Sequence, residues 1–386
     1  MKKLFFLFTL GLIVTSCEPN EIIDPIENKN KIVTTNIVGN TTWFSDTVYQ
    51  LGGRITVENG AVLTIQPGTV IKGEAGTGAN ATALLVARGG KIIAEGTPQL
   101  PIIFTSIADE ITPDMVSQGN FQSPNLDPTV NGLWGGVIVL GNAKISPKPD
   151  ATGEVTSVQI EGIPTSDPSG LYGGNDDTDN SGILKYVSIR HGGTNIGSGN
   201  EINGLTLGGV GTGTVIENIE VVSNQDDGVE WFGGSVNTTN LVVWNVGDDA
   251  IDTDQSWGGT LNNFVVISPA GHCFELDGPE GTFARGHIIQ NGNIIASGDL
   301  TSQDLINVDE NSIVELKDLT FTSVVEGQKI NRVTAPNVTF ENIHIDATDV
   351  TLHVNGTVPT GVTSGNTPKA NTSVFGWTWA SQSGKL

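Results

Sequence analysis

The sequence predicts an all-β fold, a right-handed parallel β-helix with loops inserted at its corners, and three observations carry that expectation. First, Val215 to Gly278 repeats with a period of 22 to 23 residues: Asn218, Asn240 and Asn263 form one column, Ile219, Leu241 and Phe264 a second, Val221, Val243 and Val266 a third, and Val229, Ile251 and Phe274 a fourth. A period of that size with Asn and Gly at the corners marks a solenoid whose coils stack. Second, β-prone runs of three to five residues alternate with dense turn chemistry, leaving no room for helices of ordinary length. Third, 50 glycines supply the positive-φ corners that each coil requires.

Taken in order, Met1 to Ser16 reads Lys-Lys and then an apolar run from Leu4 to Val14. A basic start followed by an apolar run too short to span a bilayer predicts an export signal over residues 1–16. It ends Val-Thr-Ser-Cys, which resembles the bacterial lipobox; the resemblance implies that Cys17 carries lipid and anchors the chain to a membrane, at the outer membrane or cell surface. Residues 17–36 are polar, acidic and proline-bearing and predict a flexible tether. The folded body is expected over 37–386, as one domain, because each coil of a solenoid contacts only its neighbours. Its first strands are Ile55–Val57, Val62–Ile65, Thr69–Ile71, Leu84–Val86, Lys91–Ala94 and Ile102–Phe104, separated by turns such as Glu58-Asn-Gly and Arg88-Gly-Gly.

Two segments break the rhythm, Ala108 to about Asn131 and about Pro147 to Asn180, and read as loops bulging from coil corners, where solenoids carry binding variation. The second leads into Asp177-Thr-Asp179-Asn-Ser181-Gly182, whose clustered oxygens resemble the first half of a calcium loop; a solvated acidic turn is the alternative. Coils resume beyond Asn311, and Trp377 and Trp379 stand where an end cap would cover the last open coil.

Net charge is −24, and loss of Lys2 and Lys3 with the signal takes it to −26. Such a surface excludes nucleic acid as a partner and suits cation capture. Cys17 and Cys273 are the only cysteines, so no disulfide can staple the folded body.

The phrases Asn180-Ser-Gly-Ile-Leu-Lys-Tyr-Val-Ser-Ile-Arg190, Glu201-Ile-Asn-Gly-Leu-Thr-Leu207, Asp226-Asp-Gly-Val-Glu-Trp-Phe-Gly-Gly234 and Gly247-Asp-Asp-Ala-Ile-Asp252 resemble a widespread family of bacterial exported β-helix proteins, often lipoproteins. That resemblance implies fold and surface location and no established reaction, so function rests on the site.

The repeat aligns Glu230, Asp252 and Glu275, and three positions earlier Asp227, Asp249 and His272. With Val229, Ile251 and Phe274 inward, strand alternation turns Glu230, Asp252 and Glu275 outward on one face. Carboxylates one coil apart repel and raise one another's pKa unless a cation sits between them. A cation- and glycan-binding face of Glu230, Asp252, Asp254 and Glu275 is the leading expectation, with calcium the candidate cofactor and Trp244 and Trp257 as stacking platforms for sugar rings. Packing is the alternative for both tryptophans, and Trp231, on the inward parity, is assigned to the core.

Two further readings stand beside it. Asp227-Gly228, Gly247-Asp248-Asp249 and Gly271-His272 are similar in order and spacing to the motifs of polygalacturonase-type glycoside hydrolases. That resemblance implies Asp248 as general acid, Asp227 and Asp249 activating water, His272 sustaining the protonation state, and an inverting outcome. Cys273 replaces the glycine after that family's His, and no Arg-Ile-Lys motif follows. Alternatively, Asp-Asp-Gly corners recur because Asp accepts turn geometry and bonds nearby amides, which leaves a structural or adhesive solenoid. His191, His287, His344 and His353 have no partners at zinc-ligand spacing. Cys273 beside His272 is either an activated thiol or a small buried residue.

Overall fold

The computed structural model describes residues 29–194 and 202–386. The export signal, the lipid attachment at Cys17 and Glu201 of the family phrase lie outside the described residues.

Short strands at coil spacing stack into two sheets, one of fifteen strands and one of eight, and every pairing within them is parallel. The repeat read from the sequence is the pairing register itself: Ile219 lies beside Leu241 and Leu241 beside Phe264 in the long sheet, and Val229 beside Ile251 and Ile251 beside Phe274 in the short one. Inward residues form one continuous core, in which Trp231 stacks on Trp257 at 4.8 Å and Phe264, Phe274 and Phe321 meet edge to face.

Each long strand bends at a residue in the left-handed region. The bend falls at Asn218, Asn240, Asn263 and Asn342, with φ of 56°, 61°, 59° and 56°, a conformation that Asn tolerates far better than β-branched residues. Asn240 Nδ2 donates to Asn218 Oδ1 at 3.0 Å and Asn263 Nδ2 to Asn240 Oδ1 at 2.6 Å, so the corner column is a chain of side-chain bonds running along the axis.

The structure departs from the expected outline in three places. Lys29–Val33, inside the segment read as tether, pairs in parallel with Thr47–Leu51 and buries Val33, completing the backbone bonds of the first coil's open edge. The two insertions do not stand off from the corners: they fold onto outward faces that are apolar and need cover. Ile111, Val116 and Phe121 of the first pack on Val70 and Ile103 of the long sheet, while Ile160, Ile163 and Tyr172 of the second pack on Leu85, Ile138, Leu140 and Phe232 of the short one. Finally, the C-terminal aromatics do not cap the last coil. They run back along the long sheet, Phe375 and Trp379 against Val222, Trp244 and Ile267, and Trp377 against Tyr186 and the first insertion.

Candidate functional site

The second insertion covers only the N-terminal half of the short sheet's outward face. Beyond it the face turns acidic, because Thr206, Glu230, Asp252, Glu275 and Asn307 occupy one register position on successive coils. Asn amides bracket this column: Asn203 Nδ2 donates to Glu230 Oε2, and Asn307 Nδ2 to Glu275 Oε1 at 2.9 Å. Between them, Asp252 Oδ1 is shielded from solvent with no hydrogen-bond partner. Asp254 and Asp277 lie just C-terminal on the same face.

A second set of acids lines the preceding corner. Asp227 Oδ1 accepts the backbone N–H of Asp249 at 2.9 Å, and Asp249 Oδ1 accepts the N–H of His272 and lies 2.9 Å from His272 Nδ1. These carboxylates therefore bond amides of the next coil rather than their own turn. Gly228 belongs to the same device: a Cβ there would sit 2.6 Å from the Ala250 carbonyl oxygen. Asp248 is exposed and its carboxylate comes within 4.8 Å of those of Asp226 and Asp227, closer than the roughly 6.5–9.5 Å of an inverting pair. The inverting geometry is not what this cluster presents.

Crowding sets the protonation. Burial, reinforced by neighbouring carboxylates, holds Asp227, Glu230 and Asp252 well above the ordinary carboxylate range. Burial and Glu280 lift Asp254 to about 7, and burial and Asp309 lift Asp277 to about 6. Burial and a hydrogen bond to Asp249 lift Glu275 to about 8. Asp249 goes the other way: burial pushes it up, but the bonds from His272 and Glu275 outweigh that and keep it charged. Burial would lower His272, yet the bond to Asp249 and its charge raise it. Among the described residues, no Lys or Arg forms an ion pair with Asp227, Glu230, Asp252, Asp254 or Glu275.

Family comparison agrees with this architecture: the model of the pectate-lyase-like β-helix domain matches residues 35–383. The chain belongs to that family. No curated protein and no solved structure matches it. Membership of the pectate-lyase-like family is compatible with a polysaccharide-related function and establishes no particular activity.

Within this pectate-lyase-like coil, the structure brings together Asp227, Asp248, Asp249 and His272 at the corner, and Glu230, Asp252 and Glu275 on the adjoining face. It bears on three other readings. Trp244 is fully buried beneath Trp379, with ring centroids 5.8 Å apart, and Trp257 is inside the core with its Nε1 donating to Val236 O at 3.0 Å, so neither is a sugar platform. Both are large apolar surfaces that the fold removes from water. In the Asp177–Ser181 turn, read as half a calcium loop, the carboxylate oxygens have protein partners. Asp177 Oδ2 lies 3.2 Å from Arg285 and 3.7 Å from Lys144, Asp179 Oδ1 accepts from Asn142, and Asp179 Oδ2 accepts from Ser181 Oγ. Cys273 is fully buried 3.5 Å from Ser302 Oγ, and burial pushes its thiol up to about 12, the reverse of activation.

Asn203 and Asn307 were not anticipated. Extending the repeat one coil upstream, with Leu205 over Val229, places Asn203 over Asp227 and makes it legible. No such signal exists for Asn307, because the spacing from Glu275 is lengthened by the turn between the coils. A cleft of about 680 Å³ between Arg88, Asn142 and Ser169 touches none of these acids.

Proposed function

We propose that this protein is a lipid-anchored β-helix of the cell envelope, held to the membrane through Cys17, that binds cations and through them a polysaccharide along the open acidic face. The supporting observation is the set Glu230, Asp252, Asp254 and Glu275 on successive coils, with no Lys or Arg paired to them among the described residues, an arrangement that favours bound protons or bound cations. Calcium suits such oxygen donors. The test is a glycan array with the full chain in calcium and in chelator, beside the double variant Asp254→Asn, Glu275→Gln. Calcium-dependent glycan capture by the wild type and its loss in the variant support the reading; capture indifferent to both sinks it.

A second reading, cleavage of the polysaccharide, draws on one specific feature. Glu275, which keeps a proton to about pH 8, is bonded to Asp249 beside His272, and exposed Asp248 stands near by. A carboxylic acid protonated at neutral pH is what glycoside cleavage asks of its general acid. Release of reducing ends that vanishes in Asp248→Asn or Glu275→Gln supports it. No release from any polysaccharide that the array captures removes it.

A further inference from the structure

We infer that the cleft between the second insertion and the corner of the N-terminal coils binds a small zwitterion, a free amino acid or a short peptide, with Arg88 taking its carboxylate and Glu58 its ammonium group. The site lies apart from the acidic face and is independent of the function proposed for it.

The cleft has a volume of about 680 Å³ and is lined by Glu58, Asn59 and Arg88 of the coil corners, by Asn142, and by Pro168 and Ser169 of the insertion. Small-ligand sites span about 300–1,000 Å³ and favour junctions of this kind. Its charges carry the argument. Arg54, Arg190, Arg285 and Arg332 each pair with a carboxylate, as expected where 42 acids outnumber 18 bases. Arg88 pairs with none among the described residues. Its Nη1 donates to Ser157 Oγ at 3.0 Å and to Gly173 O at 2.7 Å, both neutral and both in the insertion, and no protein group among the described residues takes its Nε or Nη2. A guanidinium held by one corner presents the rest of its planar fork, the shape that matches a carboxylate.

Glu58 stands one coil away, because it follows Val57, the register partner of Val86. It too forms no ion pair among the described residues, and its Oε1 accepts from Asn36 of the preceding coil at 2.9 Å. Opposite charges on neighbouring coils would ordinarily meet; these are drawn apart by neutral partners on either side, and both stay half-buried. A ligand bearing both signs completes both at once. An anion alone would meet Glu58, and a cation alone would meet Arg88. Asn142 Nδ2 donates to Asp179 Oδ1 at 2.9 Å, which leaves its own Oδ1 as a further acceptor for an ammonium group. The opposite wall is fixed beforehand: Arg54 pairs with Asp167 at 2.8 Å, and Asp167 Oδ1 accepts the Ser169 N–H at 3.0 Å. A site pre-organised in this way loses little on binding.

The experiment is calorimetric titration of the full chain with the free amino acids and a set of unmodified dipeptides, after which the tightest binder is compared with its N-acetylated and C-amidated forms. Each modification should weaken binding roughly tenfold, since each removes a charge-assisted bond. Arg88→Lys should weaken the parent ligand by a similar factor and spare the amide. Glu58→Gln, which is isosteric and keeps the Asn36 bond, should weaken the parent and spare the acetylated form. Such crossed losses separate a lost contact from a loosened insertion. The double variant Asp254→Asn, Glu275→Gln should bind as the wild type does, so failure here and failure of the acidic face are read separately. Tighter binding of amino acids than of dipeptides, or the reverse, names the source and supports the site in either case. No saturable binding at millimolar concentration overturns the site, as does an acetylated ligand that binds as well as its parent. Losses in the two variants that are equal for every form assign Arg88 and Glu58 to structure alone and overturn it as well.

Discussion

Glu220 and Glu230 lie in one coil, ten residues apart, both outward-facing and both buried, yet the protein treats them in opposite ways. Glu220, on the long sheet, is fully enclosed: its Oε2 accepts from Ser188 Oγ at 2.6 Å and faces Arg190 at 3.6 Å, its Oε1 accepts the Ala380 N–H at 2.9 Å, and Trp379 covers the Arg190 guanidinium at 5.0 Å. Glu230, on the short sheet, meets an Asn amide and other acids. One carboxylate has every requirement met by the protein and fastens the C-terminal segment to the solenoid. The other has no Lys or Arg paired with it among the described residues, and burial holds its pKa high. A buried carboxylate with its cationic partner inside stays charged, and one without keeps its proton.

The sharpest way to break this comparison is to neutralise each side in turn. Glu220→Gln leaves Arg190 buried and uncompensated and should destabilise the fold by about 3–5 kcal/mol in chemical denaturation. Limited proteolysis should then release the segment around Trp379 first. Asp252→Asn on the other face should have the opposite sign in chelator, neutral to stabilising by about 1 kcal/mol, since it removes repulsion. Equal losses in the two variants would show that the faces do not differ in the way argued.

A pH series probes the same contrast more gently. Glu275 at about 8, Asp254 at about 7 and Asp277 at about 6 are all raised above the ordinary carboxylate range in the fold. The native state therefore binds more protons than the unfolded chain between the ordinary values and these. Their contribution is complete below about pH 4 and is lost as pH rises through 6 to 8. His272, raised by Asp249, adds a loss in the same direction. Stability should fall from pH 5 to pH 9 by a few kcal/mol at most, because Glu275 and Asp277 are partly exposed and screened. Calcium should flatten the fall. A melting temperature that rises over this range would mean that the acids are ionised and paired.

What the sequence revealed of all this follows one physical line. Contacts between successive coils repeat at nearly constant spacing, so the Asn218–Asn240–Asn263 column, the core columns and the register of Glu230, Asp252 and Glu275 are all readable as periodicity. Coverage is not periodic. Trp244 occupies an outward position that would be an exposed platform on a bare solenoid, and it is sealed only because Trp379 returns from far along the chain. The Glu161 charge that bears on Glu230 comes in the same way from a segment with no repeat of its own. Asp177 illustrates the converse: its turn has the look of a cation loop, and Arg285, distant in sequence, pairs with it. Glu220 carried no signal at all, since a lone acid in a strand says nothing of the Arg190 beside it in the preceding coil.

The smallest expected effect supplies the baseline against which both faces are judged. The Asn corner column is polar and stacked at coil spacing like the acids, but its donors and acceptors match: Asn240 gives a hydrogen bond to Asn218 and receives one from Asn263. Asn240→Gly keeps the left-handed φ of 61° at no steric cost and deletes both bonds. Each bond of this kind contributes about 0.5–1.5 kcal/mol net, and the positions are partly solvated, so the loss should be about 1 kcal/mol with no dependence on calcium or on pH. Asn240→Asp keeps the acceptor that Asn263 uses and introduces a carboxylate at coil spacing. Its ionised oxygen would face Asn218 Oδ1, which has lost its donor, so it should acquire a pH dependence with the sign of the acidic face, stability falling as pH rises. An Asn240→Asp variant whose stability is flat with pH would show that the corner accepts an ionised carboxylate without penalty.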